Sequence, residues 1–357
     1  MRYKVTLIPG DGIGPEVTAA MVRVVDLVTE GRIEWEPATA GGAAAEQGLA
    51  PLPPATLESI RRNRIAIKGP LSTPIAGGWR SVNVSLRQAL ELYACLRPVR
   101  SLPGPTRARY AGVDLVVVRE NTEGLYSGRE HEVVDGVVEA LKIVTRGASE
   151  RIMRFAFEYA RHNGRKRLCI LHKASVMRLS DGLFLECARR IAADYPYLEV
   201  EYGAIDRVFL ELVLDPSRYD MLVSGNLDGD LLSDLCAGLV GGLGVVPGAN
   251  LGDGCAVFEA VHGTAPELAG KDVANPIALI LSAELMLRHI GELVAADRLR
   301  RGVEELLASG ESLTRDLGGG ATTTEMATAL LRRLEREGAP APASLPHLRS
   351  DRTRQPA

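Results

Sequence analysis

The stretch Gly10-Asp11-Gly12-Ile13-Gly14-Pro15-Glu16 decides which α/β fold this chain adopts. It follows the apolar run Val5 to Ile8 and opens a helical pattern, so it reads as a strand-to-helix turn. A dinucleotide-binding Rossmann turn requires G-x-G-x-x-G, whereas these glycines are spaced G-x-G-x-G. Pro15 suits the first helical position, and Glu16 suits the positive end of the helix dipole. A pyrophosphate facing Asp11 and Glu16 would be repelled. The turn is read as structural, and a Rossmann domain is set aside.

Outward from that turn, short apolar runs alternate with amphipathic stretches. Val5 to Ile8, Arg64 to Ile67, Leu115 to Val118, Leu168 to Leu171 and Met221 to Val223 each end in a polar or glycine-rich segment. This rhythm predicts α/β layering on a mixed, largely parallel sheet, whose chemistry collects at the carboxyl ends of strands. Asp135-Gly136 between two β-branched pairs, Val133-Val134 and Val137-Val138, predicts a two-residue hairpin. Thr322 and Glu325 have capping-box spacing ahead of a last helix that Gly338 stops, and the Pro-, Ala- and Arg-rich segment 339–357 is expected to be disordered.

At 357 residues the chain is about two domains long. A formal charge of -3 gives no general attraction to nucleic acid or an anionic membrane, so an anionic ligand must be captured locally. Two Trp, nine Tyr and five Phe leave the core to Val, Leu, Ile and Ala and offer no stacking platform for single strands. Five scattered cysteines without a C-x-x-C pair argue for reduced thiols. With no apolar leader and no run of 18 apolar residues, the expected location is the cytoplasm.

Five segments carry chemistry. Ser81, Asn83 and Arg87, followed by Arg97, bring hydroxyl, amide and guanidinium groups together, Asn83 and Arg87 one turn apart on a helix face; an acid with several carboxylates suits that set, and a solvated helix face is the bland alternative. Arg119 ends a buried strand and needs a partner or ligand; Tyr126 beyond it acts as an acid where a cation lowers its pKa, although packing is the plainer role for a lone tyrosine. Lys173 ends another strand, where partial desolvation favours a general base. Asp230 and Asp234, four residues apart, repel unless a hard cation such as Mg²⁺ or Mn²⁺ sits between them; complementing a helix N-terminus is the alternative, and Asp206 is a third candidate by proximity. The run Glu259 to Pro276 reads as a long loop of small residues whose backbone approaches a ligand closely.

In this order, from about residue 4 to 337, these segments resemble the isocitrate and isopropylmalate dehydrogenase family. The resemblance implies a two-domain α/β fold. Residues 1–98 and 245–338 would form a large domain, and 99–244 a small dimerisation domain with a hairpin clasp near 128–145. It implies that Arg87, Arg97 and Arg119 bind substrate carboxylates, Tyr126 protonates the enolate carbon, and Lys173 is the base for the hydroxyl. It implies a homodimer with shared sites, Lys173 and Asp206 of one chain meeting Asp230 and Asp234 of the other. The implied reaction is metal-dependent, decarboxylating oxidation of a 2-hydroxy acid, as in the tricarboxylic acid cycle.

Within the family, Ser81 and Asn83 ahead of Arg87 favour isocitrate; homoisocitrate, isopropylmalate or another isocitrate-like acid is the alternative, as is a non-catalytic regulatory subunit. Glu267 and Leu268 stand where NADP-type relatives carry Lys and Tyr, so the implied cofactor is NAD. Thr73 is expected by the nicotinamide and His262 and Asn275 by the adenine, with Glu259 and Gly263 also among the cofactor-binding residues. Ser175 and Arg207 depart from the usual pattern beside Lys173 and Asp206.

Overall fold

The computed structural model describes residues 2–73 and 79–336. The expected stop at Gly338 and the expected tail 339–357 lie outside the described residues. Twelve strands are described: β1 Tyr3–Ile8, β2 Ile33–Pro37, β3 Ile65–Lys68, β4 Ala94–Arg100, β5 Asp114–Glu120, β6 Glu130–Val134, β7 Val137–Ala140, β8 Arg167–His172, β9 Glu199–Ala204, β10 Met221–Ser224, β11 Pro247–Leu251 and β12 Ala256–Ala260. Ten form one sheet in the order β2-β1-β3-β12-β11-β4-β5-β10-β8-β9. Pairing is parallel except at β12/β11, β11/β4 and β4/β5. Two parallel blocks therefore run in opposite directions and meet at β11 and β4.

The five apolar runs read from the sequence are β1, β3, β5, β8 and β10. β4 escaped that reading because Arg97-Pro98 interrupts its apolar pattern. Pro98 is tolerated because β11 overlaps β4 only from Ala94 to Leu96, so past that point one edge has no ladder to break. Arg97 stands opposite Val117, and Arg119 opposite Cys95, which puts both guanidiniums on one face of the β4/β5 pair. The expected domain boundary at 98/99 falls inside β4, and the sheet is continuous across it.

The helix Ile277–His289 packs on β11 and β12 and is buried from Ile277 to Leu287, the signature of a core helix rather than a surface one. Glu284, 1% exposed within it, is matched by Arg288 and Arg300. The last helix, Thr323–Arg336, starts with the predicted capping box: Glu325 N–H donates to Thr322 Oγ1 at 3.1 Å, and Thr322 N–H to Glu325 Oε2 at 2.9 Å.

β6 and β7 form the predicted hairpin, with Gly136 at φ 77° in the left-handed region that a tight two-residue turn requires. It stands off the body, and Val133, Val134, Val137 and Val138 are 49–65% exposed.

Candidate active site

The three predicted arginines converge. Arg87 lies on helix Val82–Ala89, whose N-cap is Ser81; Arg97 and Arg119 come from β4 and β5. All are buried, at 8%, 6% and 1% exposure. Buried cations need counter-charges, and each has one. Arg119 is ion-paired with Asp230 and donates from Nε to Asn226 Oδ1 at 3.0 Å. Arg97 reaches Asp234 at 3.3 Å and Asp230 at 3.8 Å, and also donates to Ser233. Arg87 meets Glu259 at 3.1 Å.

Asp230 and Asp234 share a face of helix Asn226–Leu239, as their spacing predicts. The helix begins at Asn226, earlier than Asp230, so neither aspartate lies in its first turn and dipole compensation does not explain them. Burial pushes the Asp230 carboxyl up, but Arg119, the Tyr126 hydroxyl and Arg97 outweigh it, and the net shift is downward. Burial raises Asp234, with Arg97 only partly compensating.

Tyr126 donates its hydroxyl to Asp230, with the Arg119 guanidinium 5.0 Å from the ring centre. A pKa lowered by a cation was the expectation. The shift is instead upward, from burial and from the Asp230 carboxylate, with Arg119 opposing more weakly.

Glu259 corrects a second expectation. It belongs to β12, not to a loop, and is 7% exposed. Its carboxylate meets Lys68 at 2.5 Å, Arg87, and the Asn250 amide at 2.6 Å. Burial opposes its charge, yet the Lys68 and Arg87 charges hold its pKa well below the usual carboxylate range. Lys68 was missed, although it ends an apolar strand just as Arg119 does. Asn226 and Ser233 were missed because only the tertiary contact shows what they serve.

Asp206 lies in the first turn of the helix Ile205–Leu214, and its carboxylate is 2.7 Å from Lys173 Nζ. That bond lowers its pKa. Among the described residues no group of three or more His, Cys, Asp or Glu side chains is placed to hold a metal ion; within one chain Asp206 is not gathered with Asp230 and Asp234. Arg207 turns away to Glu201 and Glu211, and Ser175 is exposed.

Thr73 Oγ1 donates to Ser81 Oγ at 3.4 Å. His262 and Gly263 follow β12, and Glu267 and Leu268 occupy a 3-10 turn, Pro266–Leu268, entered through Ala265 in the left-handed region. Asn275 donates to Asp316 at 2.9 Å. Burial lowers the His262 pKa, favouring the neutral ring. His262 Nε2 and Asn83 Oδ1 are buried polar atoms without a partner among the described residues. Such atoms are costly to leave unmatched, and both lie on segments predicted to touch a ligand.

The family model of isocitrate/isopropylmalate dehydrogenase matches residues 4–330. The chain belongs to that family. The mitochondrial NAD isocitrate dehydrogenase alpha subunit of Sus scrofa is 48% identical over 332 residues, covering 93% of this chain and 90% of that protein. The crystal structure of isocitrate dehydrogenase from Methylococcus capsulatus is 50% identical, with a TM-score of 0.90 over 93% of this chain and 99% of the other. The TT0538 protein from Thermus thermophilus is 41% identical, with a TM-score of 0.91 over 100% of this chain and 74% of the other. The resemblance stated from motifs is thus family membership across nearly the whole chain, and the Rossmann alternative falls.

Proposed function

We propose that this member of the family oxidises isocitrate with NAD, giving 2-oxoglutarate, CO₂ and NADH. The observation that carries it is the convergence of Arg87, Arg97 and Arg119, all buried, beside Ser81 and an Asn83 whose Oδ1 lacks a partner among the described residues. Three cations on one surface suit a tricarboxylate, and the isocitrate dehydrogenase named among the relatives is the NAD enzyme.

In this reading the arginines hold the carboxylates and exchange their internal aspartate and glutamate partners for the substrate. Lys173 would take the hydroxyl proton in the oxidation at C2, for which bound NAD would supply the hydride acceptor. Tyr126, whose raised pKa keeps it protonated at neutral pH, returns a proton to the carbon that has lost CO₂. Asp230 and Asp234 present carboxylate oxygens that fit Mg²⁺ or Mn²⁺, with Asp206 of a second copy completing the set. The cation would supply positive charge for the enolate oxygen.

The working unit is then a homodimer. Support comes from apolar side chains that one chain leaves uncovered near Lys173 and Asp206: Leu179 is 91% exposed, Val176 70%, Leu210 60% and Leu214 68%. The hairpin valines add to this surface as the clasp. His262, Gly263, Glu267, Leu268 and Asn275 would line the NAD site with Thr73, and Glu259 would lie behind the nicotinamide. No described helix is long and apolar enough to cross a membrane. Five free, buried cysteines support a reducing compartment, for which we take the cytoplasm.

The test is a panel of isocitrate, homoisocitrate and isopropylmalate, each with NAD and with NADP, in Mg²⁺. NADH formation is expected with isocitrate. Faster turnover of another acid moves the substrate assignment, and no turnover of any makes the chain a regulatory subunit.

A further inference from the structure

The glycine turn that opens the chain has no part in the chemistry so far, yet its side chain is fully engaged. Asp11 accepts four hydrogen bonds from two distant segments: Gly42 N–H at 2.9 Å, Ala43 N–H at 2.9 Å, Ser72 N–H at 2.7 Å and Ser72 Oγ at 2.7 Å. Partial burial pushes its carboxyl up, and these donors bring the net shift below the ordinary value. The backbone of the same turn grips two more points: Asp11 N–H donates to Pro70 O at 2.8 Å, and Ile13 N–H to Thr264 O at 2.9 Å. Contact is close enough that a Cβ on Gly12 would collide with the Thr264 carbonyl, and one on Gly41 with the Asp11 carboxylate.

Ser72 precedes Thr73, and Thr264 follows His262 and Gly263. One turn therefore fastens both walls assigned to the nucleotide. We infer that Asp11 is a positioning residue for the NAD site, fixing Ser72-Thr73 against the His262–Thr264 wall without touching the cofactor. This rests on the cofactor assignment above. A carboxylate is suited to this role because its two oxygens satisfy four donors and its negative charge strengthens each bond. An amide cannot substitute, because its NH₂ group would face N–H donors.

The variant is Asp11→Asn, with Ser72→Ala as a milder second probe that leaves the turn itself intact. We expect Asp11→Asn to raise KM for NAD about tenfold, with kcat and KM for isocitrate within about twofold of wild type, the loss of one charge-assisted contact being of this order. Ser72→Ala should shift KM for NAD the same way by about threefold and add little in the double variant, since both act on one contact. Calorimetric titration of each protein with NAD alone should show the same ranking. Equal loss for NAD and isocitrate, or full additivity of the pair, overturns the inference. Should Asp11→Asn fail to fold, Ser72→Ala decides: an unchanged NAD affinity overturns it. A wild type that binds NAD but turns over no isocitrate overturns the substrate assignment and leaves this inference standing; a wild type that does not bind NAD overturns both.

Discussion

Two charge pairs divide the proposed chemistry, Arg119 with Asp230 and Lys173 with Asp206, and they are built on opposite terms. The first is internal: Arg119 is 1% exposed and Asp230 30%, with Tyr126, Asn226 and Arg97 around them. The second lies open, with Lys173 at 32% and Asp206 at 67%. A buried pair broken on one side leaves an uncompensated charge, whereas an exposed pair contributes about 0–1 kcal/mol. Folding therefore accounts for the first pair and asks little of the second, whose open position fits the shared site proposed above.

The sharpest break of that comparison is Lys173→Met. It should lower kcat about a thousandfold, the scale of a lost general base, while the thermal midpoint barely moves. Co-expressing Lys173→Met with Asp230→Asn under separate tags extends the test. If sites are shared, each mixed dimer rebuilds one intact site, and a statistical mixture regains about a quarter of wild-type activity. No recovery above the two parents would put Lys173 and Asp230 in one chain's site.

Asp230→Asn alone should behave in the contrary way. It strips Arg119 of its ionic partner, so the stability loss should reach about 3 kcal/mol by chemical denaturation, beside a raised Mg²⁺ requirement. From sequence alone the metal effect would be expected to dominate; the ion pair makes the folding cost comparable. A stable variant with altered metal dependence would show that the pair is not what holds Arg119.

The same contrast has a pH signature. The Asp230 carboxyl is depressed by Arg119, Tyr126 and Arg97 against the opposing effect of burial, and Glu259 is depressed by Lys68 and Arg87. A depressed carboxyl contributes stability that is complete above its unfolded pKa and lost as pH falls through the folded one, so the loss should begin below about pH 4. Tyr126 is raised, so its contribution is present below about pH 10 and lost as pH rises through its folded value. Denaturation curves should show the acid loss in wild type, clearly flattened in Asp230→Asn and only slightly in Asp206→Asn, whose carboxyl Lys173 also depresses but in the open, where water screens the pair. An equal change in Asp206→Asn would erase the distinction between the two pairs.

What was legible in the sequence follows the same line. The strands that could be read from it are those whose apolar runs are continuous, and the hairpin and capping box were readable because each is a local rule between near neighbours. β4 was hidden by Arg97-Pro98, and Glu259 read as loop because its strand is short and polar at the end; both are shaped by neighbours remote in sequence. Among site residues, Arg119 announced itself by ending an apolar run and Arg87 by sharing a helix face with Asn83, while Arg97 stood out only as a cation following them. Lys68, Asn226 and Asn250 did not, since an isolated Lys or Asn carries no sign of the charge it will face. The direction of the Tyr126 shift was misread for this reason: Arg119 was visible, and neither the burial of the hydroxyl nor the Asp230 carboxylate that accepts from it was.

The smallest effect is expected where the surface is most open. Glu267 is exposed on the Pro266–Leu268 turn, and Leu268 lies beside it, partly buried against the main core. An exposed carboxylate accepts a hydrogen bond from a ribose hydroxyl weakly and repels a phosphate through a strongly screened field. Glu267→Lys with Leu268→Tyr should therefore shift the ratio of kcat/KM for NAD over NADP by about tenfold toward NADP, through KM and not kcat. Because Lys173 and Asp206 lie outside this turn, the shared-site complementation should survive the switch unchanged. A ratio that stays put would remove Glu267 from the ribose, while a shift accompanied by lost complementation would mean that the turn also shapes the subunit contact.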